Sequence, residues 1–354
     1  VAEGAVRLFA PQSLILLRPD IWVPEEGLGW KHRAQADTRI NTGERQVRWR
    51  TDHEGFRIGE TPQEDSNVTL IALGDSFVEA IQVEYEDTMT ALLERRLSAR
   101  SRSSLRILNA GVGGWNPNQY RIYLNQILGQ RSVDGIIVFV YLGNDIVSKR
   151  IEHYQPRQHA PRHSLKLPAG FAWSHWKEAV FYPINDALEV RSHLFMLLKN
   201  QLQYELMRLG LSDHYFPKAL LASQTASNVW HVTGDILEEI ALAGESHGLQ
   251  TVFVMIPSIT EANPADAEQR ARAFGIDMDQ VRLDQPHERL GAELRRRNLI
   301  TVDTTAELRA AIADQTPDVY GQVDQHLGTV GHQVVARSIE DKIWQAFRAT
   351  LEGA

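Results

Sequence analysis

The chain has 354 residues, a hydrophobic content of 43% and a formal net charge of −8. That length suits one large domain with insertions, the acidic balance excludes the basic footprint of a nucleic-acid binder, and the absence of cysteine excludes disulfides and thiolate chemistry. No apolar run approaches the length of a membrane span, so membrane contact is expected only through a segment preceding Val1.

Residues 1–65 read as an N-terminal lead-in packed on the core. Ala5 to Leu17 carries a short amphipathic pattern, and residues 27–57 alternate charge with Trp, Ile and Val, as short strands and turns do. Arg48 and Arg50 alternate with Val47 and Trp49 and read as a solvated strand face. Residues 59–67 are a polar loop.

The first core strand is the apolar run Val68 to Leu73, stopped by Gly74. Gly74-Asp75-Ser76 turns the chain, and a helix is expected over Phe77 to Leu97. Its acids come early (Glu79, Glu84, Glu86) and its arginines late (Arg95, Arg96), the order a helix dipole favours. Free backbone N–H groups gather where a strand gives way to a helix, and they favour negative charge. A nucleophile at Ser76 would therefore have its own N–H available for the oxyanion it creates. Taken alone, Gly-Asp-Ser also fits a plain turn with serine as the helix N-cap.

A second strand, Leu105 to Leu108, runs into Asn109-Ala110-Gly111-Val112-Gly113-Gly114-Trp115, where the glycines permit close approach or positive φ. A helix is expected over Gln119 to Leu128. The third strand, Gly135 to Leu142, ends in Gly143-Asn144-Asp145. In an open parallel sheet, ligands bind outside the carboxyl ends of the strands, so three polar turns would share one edge.

Residues 150–228 read as an insertion. The loop over 151–176 carries His153, His159, His163 and His175, whose spacings match no established metal-ligand pattern. Residues 177–210 look helical, with Leu194, Leu197, Leu198 and Leu202 on one face. The α/β rhythm resumes with a helix over Trp230 to His247, a fourth strand Thr251 to Ile256, a charged helical region over 264–298 and a short fifth strand from Leu299 to Val302. Near the end, Asp324 and His326 share a loop, and a last helix runs from Gln333 to Leu351. A base within reach of a serine, with an acid to orient it, is the logic of a catalytic triad. His332 reads as structural, because it opens that last helix.

The order Gly-Asp-Ser, glycine-rich loop, Gly-Asn-Asp and Asp-Gln-His resembles the SGNH hydrolases, also called the GDSL family of esterases and lipases. The resemblance runs from about Val68 to the last helix, over residues 66–354. Gly29-Trp30 and Gly55-Phe56-Arg57 in the lead-in also look like an uncharacterised bacterial branch associated with cell-surface polysaccharide. The resemblance implies an α/β fold in three layers, α/β/α, with a five-stranded parallel flavodoxin-like sheet. It implies Ser76 as nucleophile, His326 as base, and an oxyanion hole made by Ser76, Gly114 and Asn144. No cofactor or metal is called for. The family's acid lies three residues before the histidine, at Val323 here, so Asp324 is carried as the acid. Asp318, or a dyad oriented by a backbone carbonyl, is the alternative. The implied activity is hydrolysis of small-molecule or carbohydrate O-acyl esters through an acyl-enzyme. An acyltransferase using the same intermediate and a non-catalytic binding module are the other two readings. The insertion would then form a lid or sugar groove, with Trp115, Trp173 and Trp176 as stacking residues.

Overall fold

The computed structural model describes residues 1–10, 12, 18–42, 44–60, 66–156, 182–189, 191–209, 216–321 and 325–353. The apolar runs form five parallel strands: β6 (Val68–Gly74), β7 (Leu105–Gly111), β8 (Gly135–Tyr141), β9 (Thr251–Ile256) and β10 (Ile300–Asp303). Their spatial order is β10-β9-β8-β6-β7, the flavodoxin-like order, with its switch point between β6 and β8. Alternate residues of a strand face opposite sides, and β6 shows what that does here. Val68, Leu70 and Ala72 pack with Met89, Leu93, Val335 and Ile339 on one face. Ile71 and Leu73 pack with Tyr120, Leu124, Leu237 and Leu290 on the other. Both faces are covered by helices, which is why β6, β8 and β9 are apolar over most of their length rather than alternating. Among the described residues no helix is long and apolar enough to cross a membrane.

The sheet is larger than the five strands expected. The lead-in adds β3 (Asp37–Asn41), β4 (Gln46–Thr51) and β5 (Arg57–Ile58), all antiparallel, so that β5 pairs with the outer edge of β7 through Arg57 and Asn109. The physical reason is the open edge of β7, whose unpaired backbone groups accept a further strand. On β4, Val47 and Trp49 are buried, while the exposed Arg48 pairs with Asp37 and Glu60. The remaining lead-in strands, β1 (Trp22–Glu25) and β2 (Gly29–His32), form a separate antiparallel hairpin.

The long helix expected after Ser76 is interrupted. Helix α2 is only Ser76–Glu79, Ala80 takes a left-handed φ of 53°, and the next helix runs over Met89–Ser98, with the Thr88 side chain accepting from Ala91 N–H. The carbonyls freed at the break are satisfied by the buried guanidinium of Arg57, which donates to the carbonyls of Glu79, Ala80 and Val83. A charged group held by three carbonyls lets a helix stop inside the protein without stranding its C-terminal acceptors.

In the insertion, helices span Tyr182–Glu189 and His193–Arg208, and Leu198 and Leu202 of the leucine face are exposed. His153 pairs with Glu26 at 2.5 Å. His159, His163, His175, Trp173 and Trp176 lie outside the described residues. Trp115 does not serve as a stacking platform: it is 1% exposed and its indole N–H donates to the Trp30 carbonyl at 3.0 Å.

Candidate active site

Ser76 is the first residue of α2, directly beyond the carboxyl end of β6. The N-cap is Asp75 rather than Ser76, since its side chain accepts from the Phe77 N–H at 2.9 Å. That leaves the serine hydroxyl uncommitted to capping. The Ser76 N–H and the Gly114 N–H donate to no acceptor in the backbone and side-chain hydrogen bonds of the described residues.

His326 reaches the same point from the other end of the sequence. Its Nε2 lies 2.7 Å from Ser76 Oγ, across 250 residues of chain. The loop bearing it is pinned on both sides: Gly321 N–H donates to the His326 carbonyl at 2.8 Å, and Tyr320 bridges to the fully buried Leu327. The ring is set by aromatic contacts. Phe77 packs against the imidazole with centroids 4.9 Å apart, and Phe77 in turn stacks on Tyr141 at 3.8 Å. Phenylalanine in the Gly-Asp-Ser-Phe block thus forms a shelf for the base. A Cβ at Gly143 would meet the Tyr141 ring at 2.5 Å, so glycine is what lets the ring take that place.

Asn144 is exposed, in the turn after β8, and its Nδ2 donates to Asp75 Oδ2 at 3.1 Å. Asp75 therefore holds the Phe77 amide with one oxygen and the Asn144 amide with the other. One N–H of the Asn144 amide is used in this anchor, and an amide has two to give. Next to it, Asp145 is buried and accepts from the Tyr120 hydroxyl at 2.9 Å and from the Tyr141 N–H at 2.9 Å. Asn109, at the end of β7, donates to the Val78 carbonyl at 2.7 Å and to Thr90 Oγ1 at 3.0 Å. It braces the end of α2 and does not face a ligand.

Asp324 lies outside the described residues. The alternative Asp318 is committed elsewhere, with Oδ1 on Arg45 at 2.5 Å and Oδ2 on the Thr329 N–H at 2.9 Å. His332 is fully buried and accepts from the Met89 N–H at 3.2 Å, as a structural histidine should. Burial chiefly, with the nearby Arg57 charge, pulls it down to about 3, so it stays neutral at all ordinary pH.

Burial pushes the Asp75 carboxyl up from an ordinary 3.8 to about 6, against the opposing pull of the Phe77 N–H, His326 and Asn144. Between those two values the folded chain holds a proton that the unfolded chain has released. The stability this group contributes is therefore greatest below about pH 4 and is lost as pH rises through 6. The loss is roughly 2 to 3 kcal/mol across that window. Asp75→Asn is expected to gain stability relative to wild type as pH goes from 4 to 7, while losing turnover because the amide cannot accept from both neighbours. Denaturant unfolding of both proteins at pH 4, 5.5 and 7 reads this directly. A constant difference would mean that Asp75 ionises like a surface carboxylate.

Reasoning from sequence missed four parts of this site: the Phe77–Tyr141 shelf, the anchoring of Asn144 by Asp75, the Arg57 clamp on α2, and the packing of the lead-in hairpin on the glycine-rich loop. Only the last two had a signal, the Gly29-Trp30 and Gly55-Phe56-Arg57 motifs.

No protein-family profile matches the chain, and no curated protein does. Among solved structures the chain is similar to a catalytic mutant of an acetylxylan esterase from Geobacillus stearothermophilus (14% identity, 80% of this chain and 96% of that one, TM-score 0.42). It is also similar to a member of the lipolytic protein G-D-S-L family from Veillonella parvula (12% identity, 77% and 97%, TM-score 0.38). A third is a carbohydrate acetylesterase family member from Sinorhizobium meliloti (12% identity, 79% and 99%, TM-score 0.40). At these identities and scores, the functional reading rests on the geometry of the site.

Proposed function

We propose that this chain is a serine ester hydrolase of the SGNH type, acting on carbohydrate O-acyl groups through an acyl-enzyme on Ser76. The observation that carries this reading is the 2.7 Å contact between His326 Nε2 and Ser76 Oγ at the carboxyl edge of the sheet. With Nε2 accepting from the hydroxyl, the ring proton sits on Nδ1, and Asp324 is assigned to orient it.

The reaction then follows from these groups. Ser76 Oγ attacks the ester carbonyl carbon as its proton passes to His326 Nε2. The carbonyl oxygen becomes an oxyanion, accepting from the Ser76 N–H, the Gly114 N–H and the Asn144 amide. Collapse breaks the bond to the alcohol oxygen, which leaves with the proton from His326. Water, deprotonated by His326, attacks the acyl-enzyme, and the acid departs from a regenerated Ser76. The preference for carbohydrate esters comes from the family resemblance of the lead-in.

A fluorophosphonate probe tests the reading, since it reacts covalently with activated serines. Wild type is expected to take one label, mapped to Ser76, and to release acetate from acetylated oligosaccharides. Absence of label on a folded wild-type protein would leave the fold without this chemistry.

A further inference from the structure

We propose that Trp30, on the lead-in hairpin, is a positioning residue of the oxyanion hole, holding the Gly113–Gly114 peptide so that the Gly114 N–H is presented to the substrate. The inference rests on the esterase reading above, and goes beyond it by placing a residue of the lead-in in the catalytic machinery.

The Trp30 indole N–H donates to the Gly113 carbonyl at 2.9 Å. That carbonyl and the Gly114 N–H belong to one peptide unit, and the chain has no cis peptide among its described residues. In a trans peptide the two groups point in opposite directions. Pinning the carbonyl on Trp30 therefore turns the Gly114 N–H to the far side of the loop, where it has no acceptor among the described residues.

This peptide needs a clamp. It lies between two glycines, which adopt positive and negative φ with similar ease. Gly114 itself has a φ of +77°. If the unit rotated by half a turn, a carbonyl oxygen would replace the N–H and repel the developing oxyanion. The indole also blocks the loop sterically, since a Cβ on Gly114 would lie 3.2 Å from Trp30 Cζ2. On the opposite side the fully buried Glu79 presses on the loop, with Oε2 only 2.5 Å from where a Gly113 Cβ would stand.

The hairpin is fastened so that Trp30 cannot drift. Glu79 Oε1 takes the Trp22 indole N–H at 2.9 Å and contacts His32 Nε2 at 2.6 Å. Trp115 Nε1 donates to the Trp30 carbonyl at 3.0 Å, and Gln119 Nε2 donates to the Leu28 carbonyl at 3.0 Å. Glu79 lies on α2, three residues after the nucleophile, so one carboxylate ties α2 to the hairpin that clamps the loop. The loop is bound to the nucleophile's own strand as well, through the Val112 N–H on the Gly74 carbonyl at 3.1 Å.

The test removes the donor and keeps the shape. Trp30→Phe and the isostere 3-benzothienylalanine at position 30, which puts sulfur in place of the indole N–H, are compared with wild type on an activated acetate ester. Loss of a whole oxyanion donor costs about 100- to 1,000-fold, so misorienting one is expected to lower kcat by about tenfold or more. KM should stay within about twofold of wild type, because the hole acts in the transition state and not on the bound ester. The thermal midpoint of the isostere should match wild type. A wild-type kcat in the isostere overturns the inference while leaving the esterase reading intact. So does a fall in kcat matched by a rise in KM or a loss of thermal stability, which marks Trp30 as packing only. A folded wild type that takes no fluorophosphonate label removes both.

Discussion

Ser76→Ala and His326→Ala are each expected to lower turnover of an activated ester by about 10⁴-fold or more, with the double variant no worse than either single one. The two side chains act as one unit: the serine is a weak nucleophile until the imidazole takes its proton, and the proton the imidazole returns to the leaving alcohol is the one it took from the serine. Removing either ends the same step, so their losses do not add. Neither change should unfold the protein, because Ser76 and His326 are only partly buried and the loop carrying His326 is held by Gly321, Tyr320 and Leu327. Asp324→Asn belongs with this pair. If Asp324 holds the imidazole tautomer, its amide variant should lose about as much as wrong-tautomer changes do in other triads, about 10⁴-fold. A loss under about tenfold beside an inactive Ser76→Ala would assign the orienting role to another acceptor. Kinetic assays with thermal unfolding of all four proteins decide this. Additive losses in the double variant would mean that the 2.7 Å contact is not the reacting pair.

Asn144→Ala should cost about 100- to 1,000-fold in kcat with little change in stability at low pH, where Asp75 is protonated. The residue is exposed and its one side-chain donation goes to Asp75, so the truncation opens no cavity in the core and leaves a single buried oxygen, Asp75 Oδ2, without this donor. It does remove one of the contacts that favour the charged form of Asp75, whose carboxyl should move further above about 6. The variant therefore has two readouts. Its kcat falls while KM holds, since the amide acts on the oxyanion, and its stability declines more steeply with rising pH than that of wild type. A parallel loss of kcat and stability at all pH values would make Asn144 a structural turn residue instead.

Local chemistry made the five parallel strands legible. Val68 to Leu73, Gly135 to Leu142 and Thr251 to Ile256 are apolar but for Thr69 and Thr251, as suits strands covered on both faces, and a glycine or proline marks the end of each. The sequence also placed Ser76, Gly114 and Asn144 at the ends of three such strands, and a parallel sheet brings strand ends of like direction to one edge. His326 as base, and Gly114 and Asn144 as oxyanion donors, were implied by the resemblance in motif order rather than by any local pattern. The strand ends and their shared edge need only short windows and the topology rule for open sheets.

Whatever depends on one distant side chain satisfying another was not legible. The helix expected over Phe77 to Leu97 follows from its charge order, its propensity is weak around Val83 to Thr90, and at the break Arg57 supplies donors for the carbonyls at Glu79, Ala80 and Val83. Propensity is worth tenths of a kcal/mol per residue, and hydrogen bonds to a buried charged donor add more than that to the broken form. The eight-stranded sheet arose because the edge of β7 was open to the lead-in, a pairing with no periodic signature of its own. The shelf under His326 joins Phe77 to Tyr141, and the clamp on Gly113 joins residues 83 positions apart. Sequence alone determined which residue types stand at the ends of the strands. Only the tertiary structure decided which of them are held in place and by what, because a hydrogen bond depends on angstrom-scale placement that no pattern along the chain encodes.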